Sequence, residues 1–371
     1  MDWSIHHLIL GATFVLAFAL GLLGAATHFC TLGAVSDWIN FGSTARLRAW
    51  VLAMGVALSG TTALQAAGLI ELSVTFPPYR IGVFNPLRHL LGGLLFGIGM
   101  TLAGGCGNKA LLRVGGGNLK SLVVLAVTGA SAYLLIYQGG YEALFGWLAP
   151  RAIDLAGERV GSQALGDVLA MPLGMTGLAL NLLLGMGIAM VFVAWALSSR
   201  QMWRDNANLA GGLGYGAIVT AGWALTAGEL GAQWKEWAAF ADPLPSRVEA
   251  QSFSFISPMA DAVRWLSSPT DTSLINFGLV SLCGVVLGAF VHAASNAGFR
   301  IEWFRDPADA VRHVCGAVMM AAGATLAMGC TIGQGITGLS TLAAGAFLSL
   351  ASIVMGCIAT LRAMQWGLDQ P

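Results

Sequence analysis

The feature that most constrains this chain is a series of nine long apolar runs, at 8–29, 47–70, 87–103, 119–136, 172–197, 209–227, 274–294, 311–328 and 342–361. A helix needs about 20 mostly apolar residues to cross a bilayer. Within lipid, only helices and closed barrels satisfy their own backbone hydrogen bonds. The runs therefore predict an all-α polytopic membrane protein of about nine transmembrane helices. Several are short or interrupted by glycine, so short re-entrant half-helices are expected beside the full spans. The first run follows residues 1–7, which hold no Lys or Arg and precede no evident cleavage site, and it reads as a retained span rather than a signal peptide.

Composition agrees. The chain is 56% hydrophobic and 10% charged, against about 25% charged in soluble domains, which excludes an ordinary soluble enzyme and a disordered chain. Its 18 Lys+Arg balance 18 Asp+Glu, leaving no basic excess for nucleic acid; lipid is the expected surrounding. The six cysteines lie within or just after apolar runs, unlike a secreted disulfide scaffold. The absence of C-x-x-C and H-x-x-x-H argues against a structural zinc. There is no nucleotide-binding loop, so no cofactor is expected, and any use of ATP would come from another chain.

The charges suggest an orientation. If the loop with Lys109, Arg113 and Lys120 is cytoplasmic, alternation places Arg46, Arg48, Arg200, Arg204, Arg300, Arg305, Arg312 and Arg362 on the same side, 11 basic residues in all. The other side keeps Arg80, Arg88, Arg151, Arg159, Lys235, Arg247 and Arg264, spread over long loops where the positive-inside bias is weak. The expectation is a multi-pass protein of a bacterial inner membrane with its N-terminus outside and its C-terminus inside.

Residues 88–106 align without gaps on 312–330, at an offset of 224. Arg88-His89 matches Arg312-His313, Gly92 matches Gly316, and Gly99 matches Gly323. Thr101-Leu102-Ala103 matches Thr325-Leu326-Ala327, and Gly105-Cys106 matches Gly329-Cys330. With four spans between them the copies run in opposite directions, an inverted repeat of the kind that places substrate sites at the membrane midplane. On this reading 1–138 is a first pseudo-repeat, 172–366 a second, and 139–171 an extracytoplasmic connector. Glycine-rich stretches follow both cysteines, Gly107-Asn108-Lys109 with Gly115-Gly116-Gly117, and Thr331-Ile332-Gly333-Gln334-Gly335. Each glycine weakens a helix by about 1 kcal/mol, so unwound or re-entrant backbone is expected, with free N–H groups able to meet an anion. A third cysteine, Cys30, ends the first run; its counterpart in the second half is placed at Gly222-Trp223-Ala224-Leu225-Thr226.

At these residues the chain resembles the YeeE/YedE family of integral membrane proteins. The resemblance rests on Phe96-Gly97-Ile98-Gly99-Met100 with Gly104-Gly105-Cys106, on Arg113 before the triple glycine, on Gly329-Cys330-Thr331-Ile332-Gly333-Gln334-Gly335 and on Ser252-Phe253-Ser254-Phe255-Ile256-Ser257-Pro258. It implies uptake of a sulfur compound, thiosulfate in the best-understood members, through an hourglass of inverted repeats. There, cysteine thiols at the constriction hand the anion along, and the matching positions are Cys30, Cys106 and Cys330. Two features depart from the thiosulfate members: Asn108-Lys109 after Cys106, and the Gly117-Asn118-Leu119-Lys120 run.

The substrate-binding candidates are Cys30, Cys106, Cys330, Gly105, Gly329, Gln334, Arg113 and Lys109, with a cytoplasmic sulfurtransferase as a candidate receiver of the anion. Cys283, Cys315 and Cys357 read as packing residues. Arg88, His89, Arg312 and His313 read as helix-end anchors, and Trp234, Trp237 and Trp265 as an interfacial belt. Two other functions compete with transport. A thiol relay, for redox or sulfur transfer, needs a low-pKa nucleophile with a resolving partner, and neither C-x-x-C nor a neighbouring base is evident. A soft-cation channel would use Met and Cys as ligands, but no intramembrane carboxylate faces a plausible pore.

Overall fold

The computed structural model describes residues 5–155, 160–174 and 176–369. Residues 1–4 of the N-terminal reading, Arg159 of the charge argument and residue 175 of the fifth run lie outside them. The helices in chain order are α1 (Ile5–Ala26), α2 (Thr31–Phe41), α3 (Ala45–Ala66), α4 (Pro86–Leu102), α5 (Gly107–Gly115), α6 (Leu119–Tyr137), α7 (Gly140–Phe145) and α8 (Leu165–Leu173). They continue with α9 (Gly177–Leu197), α10 (Arg200–Arg204), α11 (Asn206–Ala227), α12 (Glu229–Ala239), α13 (Ile256–Ser267), α14 (Phe277–Ser295), α15 (Pro307–Ala327) and α16 (Ala344–Asp369). Residues 331–341, between α15 and α16, wind into π and 3-10 turns. Val83–Phe84 and Ile153–Asp154 form a small antiparallel clasp.

Among the described residues nine helical stretches are long and apolar enough to cross a membrane. Two of them, Ile5–Phe41 and Pro86–Gly115, contain a break that leaves a short second helix, α2 or α5. One order of elements occurs twice: a long helix, a short helix, a long helix, a loop, a long helix ending at Gly-Cys, a short helical segment and a long helix. The first pass is α1 to α6. The second is α11, α13, α14, α15, 331–341 and α16, with one additional short helix, α12, between α11 and α13. Packing repeats as well: α1 lies on α14 as α11 lies on α3, and α4 on α16 as α15 lies on α6.

The centre of the molecule is the α4–α15 pair. Both helices start at an Asx cap followed by proline, Asn85-Pro86 and Asp306-Pro307, which satisfies one free N–H and presets the first turn. They then cross on the four aligned glycines. A Cβ on Gly92 would sit 2.9 Å from the Gly323 carbonyl oxygen, and one on Gly323 would sit 2.6 Å from that of Gly92. Gly99 and Gly316 face each other in the same reciprocal way, at 2.6 and 2.7 Å. Contacts that rise along α4 fall along α15, so the helices are antiparallel. Only glycine permits backbones this close.

Both helices also end alike. Gly104 (φ 72°) and Met328 (φ 59°) are left-handed, and the next N–H reaches back five residues, Gly105 to Met100 and Gly329 to Ala324, each at 2.9 Å. This is the Schellman stop. Glycine adopts it freely; for Met328 the left-handed backbone costs about 1–2 kcal/mol.

The structure corrects several sequence expectations. The polar stretch 228–273 is not an outer loop throughout: 250–256 is buried and lies against the core. Trp234 is not in an interfacial belt; α12 packs on α1, and the fully buried indole donates to His6 Nδ1 at 3.0 Å. Gly222-Trp223-Ala224-Leu225-Thr226 lies inside the last turns of α11, with Trp223 donating to Ser340 Oγ at 3.1 Å, and none of its residues caps a helix start as Cys30 does; the short helix α12 that follows is capped by Gly228. Cys357 is buried as a packing residue should be, whereas Cys283 and Cys315 are exposed.

Candidate functional site

The three cysteines singled out by sequence stand at three helix starts. Cys30 is the N-cap of α2 and its Sγ accepts from the Gly33 N–H at 3.4 Å. Cys330 does the same for the segment 331–341, its Sγ accepting from the Gly333 N–H at 3.4 Å. Cys106 caps α5 with an extended backbone. All three are free thiols; Cys106 and Cys330 are buried and Cys30 is half-buried. Cys106 has the Thr331 hydroxyl and the Lys109 backbone beside it, and Cys30 and Cys330 both lie within its electrostatic reach. Sulfur is a weak acceptor, and Ser, Thr, Asp or Asn would cap a helix better. Three thiols at three caps therefore do not follow from helix stability.

The surroundings are apolar, with polar atoms left over. Thr31 Oγ1, Asn108 Oδ1, Thr331 Oγ1, Gln334 Oε1 and Trp50 Nε1 are buried without a hydrogen-bond partner among oxygen and nitrogen atoms. Unsatisfied buried groups are rare, and each needs an explanation such as strain or an unfilled ligand position. The Asn108 amide donates to Tyr215 OH at 3.2 Å, and Tyr215 stacks on Phe29 at 4.0 Å, next to Cys30. Tyr79 OH donates to the Gly333 carbonyl at 2.7 Å.

The other predicted residues divide. Gln334 donates through Nε2 to the Ala327 carbonyl and so satisfies the broken end of α15; its Oε1 stays free. Gly329 packs on the Gln334 side chain, and Gly105 packs on the Lys109 side chain. Arg113 donates to the Gly104 carbonyl at 2.8 Å from an exposed position and closes the end of α4. Lys109 has the Cys30 and Cys106 thiols and the Arg113 and Arg46 guanidinium groups as its electrostatic neighbours. The structure thus gathers Cys30, Cys106, Lys109 and Arg113 toward one face.

On the opposite face a cavity of about 470 Å³ descends to Met328 and Gly329, just before Cys330. Its wall holds Arg88, Arg247, Tyr141, Ser254 and Thr325. Arg88 is not a surface anchor: it donates to the Leu326 and Thr325 carbonyls at 2.6 and 3.2 Å and lies over the Tyr141 ring. Arg312, its sequence counterpart, is a helix-end residue bound to Asp309 at 2.9 Å. Arg247, read from the sequence only as a loop charge, pairs with buried Asp261 at 2.9 Å and donates to Tyr137 OH at 2.6 Å. Burial pushes the Asp261 carboxyl above its usual range, against the opposing pull of Arg247. Among the described residues no cluster of His, Cys, Asp and Glu could hold a metal ion.

A sequence model of the sulphur transport family matches residues 26–359. Two curated relatives carry the name thiosulfate transporter TsuA. One, from Spirochaeta thermophila, is 23% identical over 366 residues, covering 92% of this chain and 95% of its own. The other, from Escherichia coli, is 24% identical over 349 residues, covering 91% of this chain and 89% of its own.

Proposed function

This chain belongs to the sulphur transport family, and from that premise we propose that it moves thiosulfate, or a closely related sulfur anion, across the membrane through a constriction lined by Cys30, Cys106 and Cys330. The observation that supports the reading is the position of Cys30, Cys106 and Cys330 at three helix starts, two of them capped by the thiol itself, with a cavity reaching the residue before Cys330 and basic residues near Cys106.

The chemistry fits. Thiosulfate is a dianion with hard oxygens and one soft sulfur, and carrying it bare through hydrocarbon is prohibitive. Helix N-termini offer free N–H groups and a partial positive charge, worth about 0.3–1 kcal/mol each at the surface and up to about 2 kcal/mol when partly buried. Neutral thiols add weak, soft donors. Several modest sites in series let an ion shed water without being trapped, as conduction requires. The free Thr31, Thr331 and Asn108 groups supply further contacts.

The two passes of elements are read as an inverted repeat within 1–138 and 172–366, joined by 139–171, with α9 and α10 preceding the second pass and the reciprocal glycine contacts of α4 and α15 on the pseudo-two-fold axis. The cavity then faces outward in a bacterial inner membrane. Lys109, Arg46 and Arg113 receive the anion on the cytoplasmic side, where a sulfurtransferase would take it on. The protein acts as a transporter and not as an enzyme.

The test is growth of a host without its own thiosulfate uptake on thiosulfate as sole sulfur source. Wild type supports growth; Cys106→Ala and Cys330→Ala reach the membrane in normal amount and do not. Growth with either variant equal to wild type removes the thiols from the path. Persulfide accumulating on Cys106 points to a relay instead.

A further inference from the structure

The second pass contains no cysteine at the place Cys30 holds in the first, and the structure identifies what stands there. The offset of 224 that joins the Cys106 and Cys330 segments also aligns Ala26 with Ala250, Phe29 with Phe253 and Asp37 with Asp261. Under it Cys30 falls on Ser254. The surroundings agree. Each residue ends a stretch that runs into a short helix, α2 or α13, and then a spanning helix, α3 or α14. Phe29 packs on Trp50 of α3 at 5.5 Å, and Phe253 on Phe277 of α14 at 5.4 Å. Cys30 lies beside Lys109. Ser254 lies against Gly333, which is 224 residues after Lys109: a Cβ built on Gly333 would be 2.5 Å from Ser254 Oγ.

The residues around Ser254 are fully occupied. Thr226 and Gln251 exchange hydrogen bonds at 2.5 and 2.9 Å, Ser252 Oγ donates to Val219 O at 2.8 Å, and Thr337 Oγ1 donates to Phe253 O at 2.7 Å. Ser254 alone in this stretch has a buried side-chain hydroxyl with no partner, at 7% exposure. It also lines the cavity that ends at Gly329, one residue before Cys330.

We propose that Ser254 is a fourth substrate-contacting group, standing where exact two-fold symmetry would put a fourth thiol and meeting the anion before the cysteines do. A hydroxyl is a stronger donor than a thiol and suits a hard oxygen. Placed at the foot of the cavity, it takes the oxyanion end of the substrate and leaves the soft sulfur end for Cys330 and Cys106. This rests on the transport reading above.

The experiment measures labelled thiosulfate uptake in cells carrying wild type, Cys106→Ala, Ser254→Ala or Ser254→Cys, with membrane abundance measured for each. Ser254→Ala removes no hydrogen bond, so its abundance stays normal while uptake at limiting substrate falls about tenfold, equivalent to about 1.4 kcal/mol. Ser254→Cys keeps most of the uptake. Position 254 in that variant reacts with an anionic, membrane-impermeant thiol reagent added outside, read by peptide mass, and thiosulfate in the medium slows the reaction. Ser254→Ala uptake equal to wild type, alongside loss in Cys106→Ala, overturns this proposal and leaves the transport reading standing. Labelling that is absent or unaffected by thiosulfate also overturns it. Wild type without uptake overturns the transport reading itself.

Discussion

The two Gly-Cys breaks begin identically and end differently. After Cys106 the chain resumes as a regular helix, α5, and the cut end of α4 is closed by the exposed Arg113. After Cys330 it winds into π and 3-10 turns in which every residue from 331 to 341 is buried, and the cut end of α15 is closed by the neutral Gln334 and, from α4, by Arg88. A broken helix end needs donors for its carbonyls. Next to a basic, water-accessible mouth a guanidinium can supply them. In the buried break a neutral amide closes the innermost carbonyl, that of Ala327, while Arg88 reaches in from the cavity wall to those of Leu326 and Thr325. The same backbone device is thus adapted to a basic, water-accessible mouth on one side and a buried floor beneath the cavity on the other.

Replacements at the caps test this contrast most strongly. Cys330→Ala and Cys106→Ala each lower labelled thiosulfate uptake by more than about tenfold, the loss of about 1.4 kcal/mol of transition-state binding. Cys30→Ala, at the half-buried mouth, lowers it less. Equal losses at all three positions would erase the distinction between floor and mouth.

On stability rather than uptake, the largest effect is that of Arg247→Ala, which removes the cationic partner of buried Asp261 and leaves it only the Tyr137 and Asn276 hydrogen bonds, at a cost of about 3–5 kcal/mol, read as a fall in detergent melting temperature. Asp261 already has a raised folded-state pKa, so its protonated form is the one folding favours. In the variant, stability is highest below the ordinary carboxyl pKa of about 3.9 and declines as pH rises through the raised value. Asp261→Asn in the same background restores part of the melting temperature at neutral pH. A melting temperature independent of pH would contradict the pairing.

Gly323→Ala drives a Cβ to 2.3 Å from the Phe96 nitrogen, an overpacking cost of about 1–3 kcal/mol. Gly11→Ala, with open space around it, is neutral or slightly stabilising. The smallest effect separates the two closures. Gln334→Ala strands a buried carbonyl and costs about 1–3 kcal/mol, whereas Arg113→Ala, whose carbonyl partner lies by water, costs less than about 1 kcal/mol. The reverse order in melting temperature would show that the buried break is not the more demanding one.

Much of this architecture was legible in the residues. The apolar runs mark the nine spanning stretches because lipid leaves the backbone no other choice, and Gly92, Gly99, Gly316 and Gly323 betray their contact because only glycine fits it. Other features were hidden for physical reasons. Ser254 sits in a stretch polar enough to pass for an outer loop, since the backbone groups of its neighbours Gln251 and Phe253 are met by Thr226 and Thr337, which lie far away in sequence. Trp234 reads as interfacial until α12 is seen to fold back on α1. Arg88 looks like a snorkelling anchor because its acceptors, the Thr325 and Leu326 carbonyls, become free only when α15 stops at a left-handed methionine.

The most direct measurement of the central claim is flux of sulfur-labelled thiosulfate down its gradient into liposomes holding the purified protein, comparing wild type with the Cys106→Ala/Cys330→Ala double variant. The account predicts influx well above empty liposomes for wild type and influx at the empty-liposome rate for the double variant. Equal influx through both proteins would contradict it.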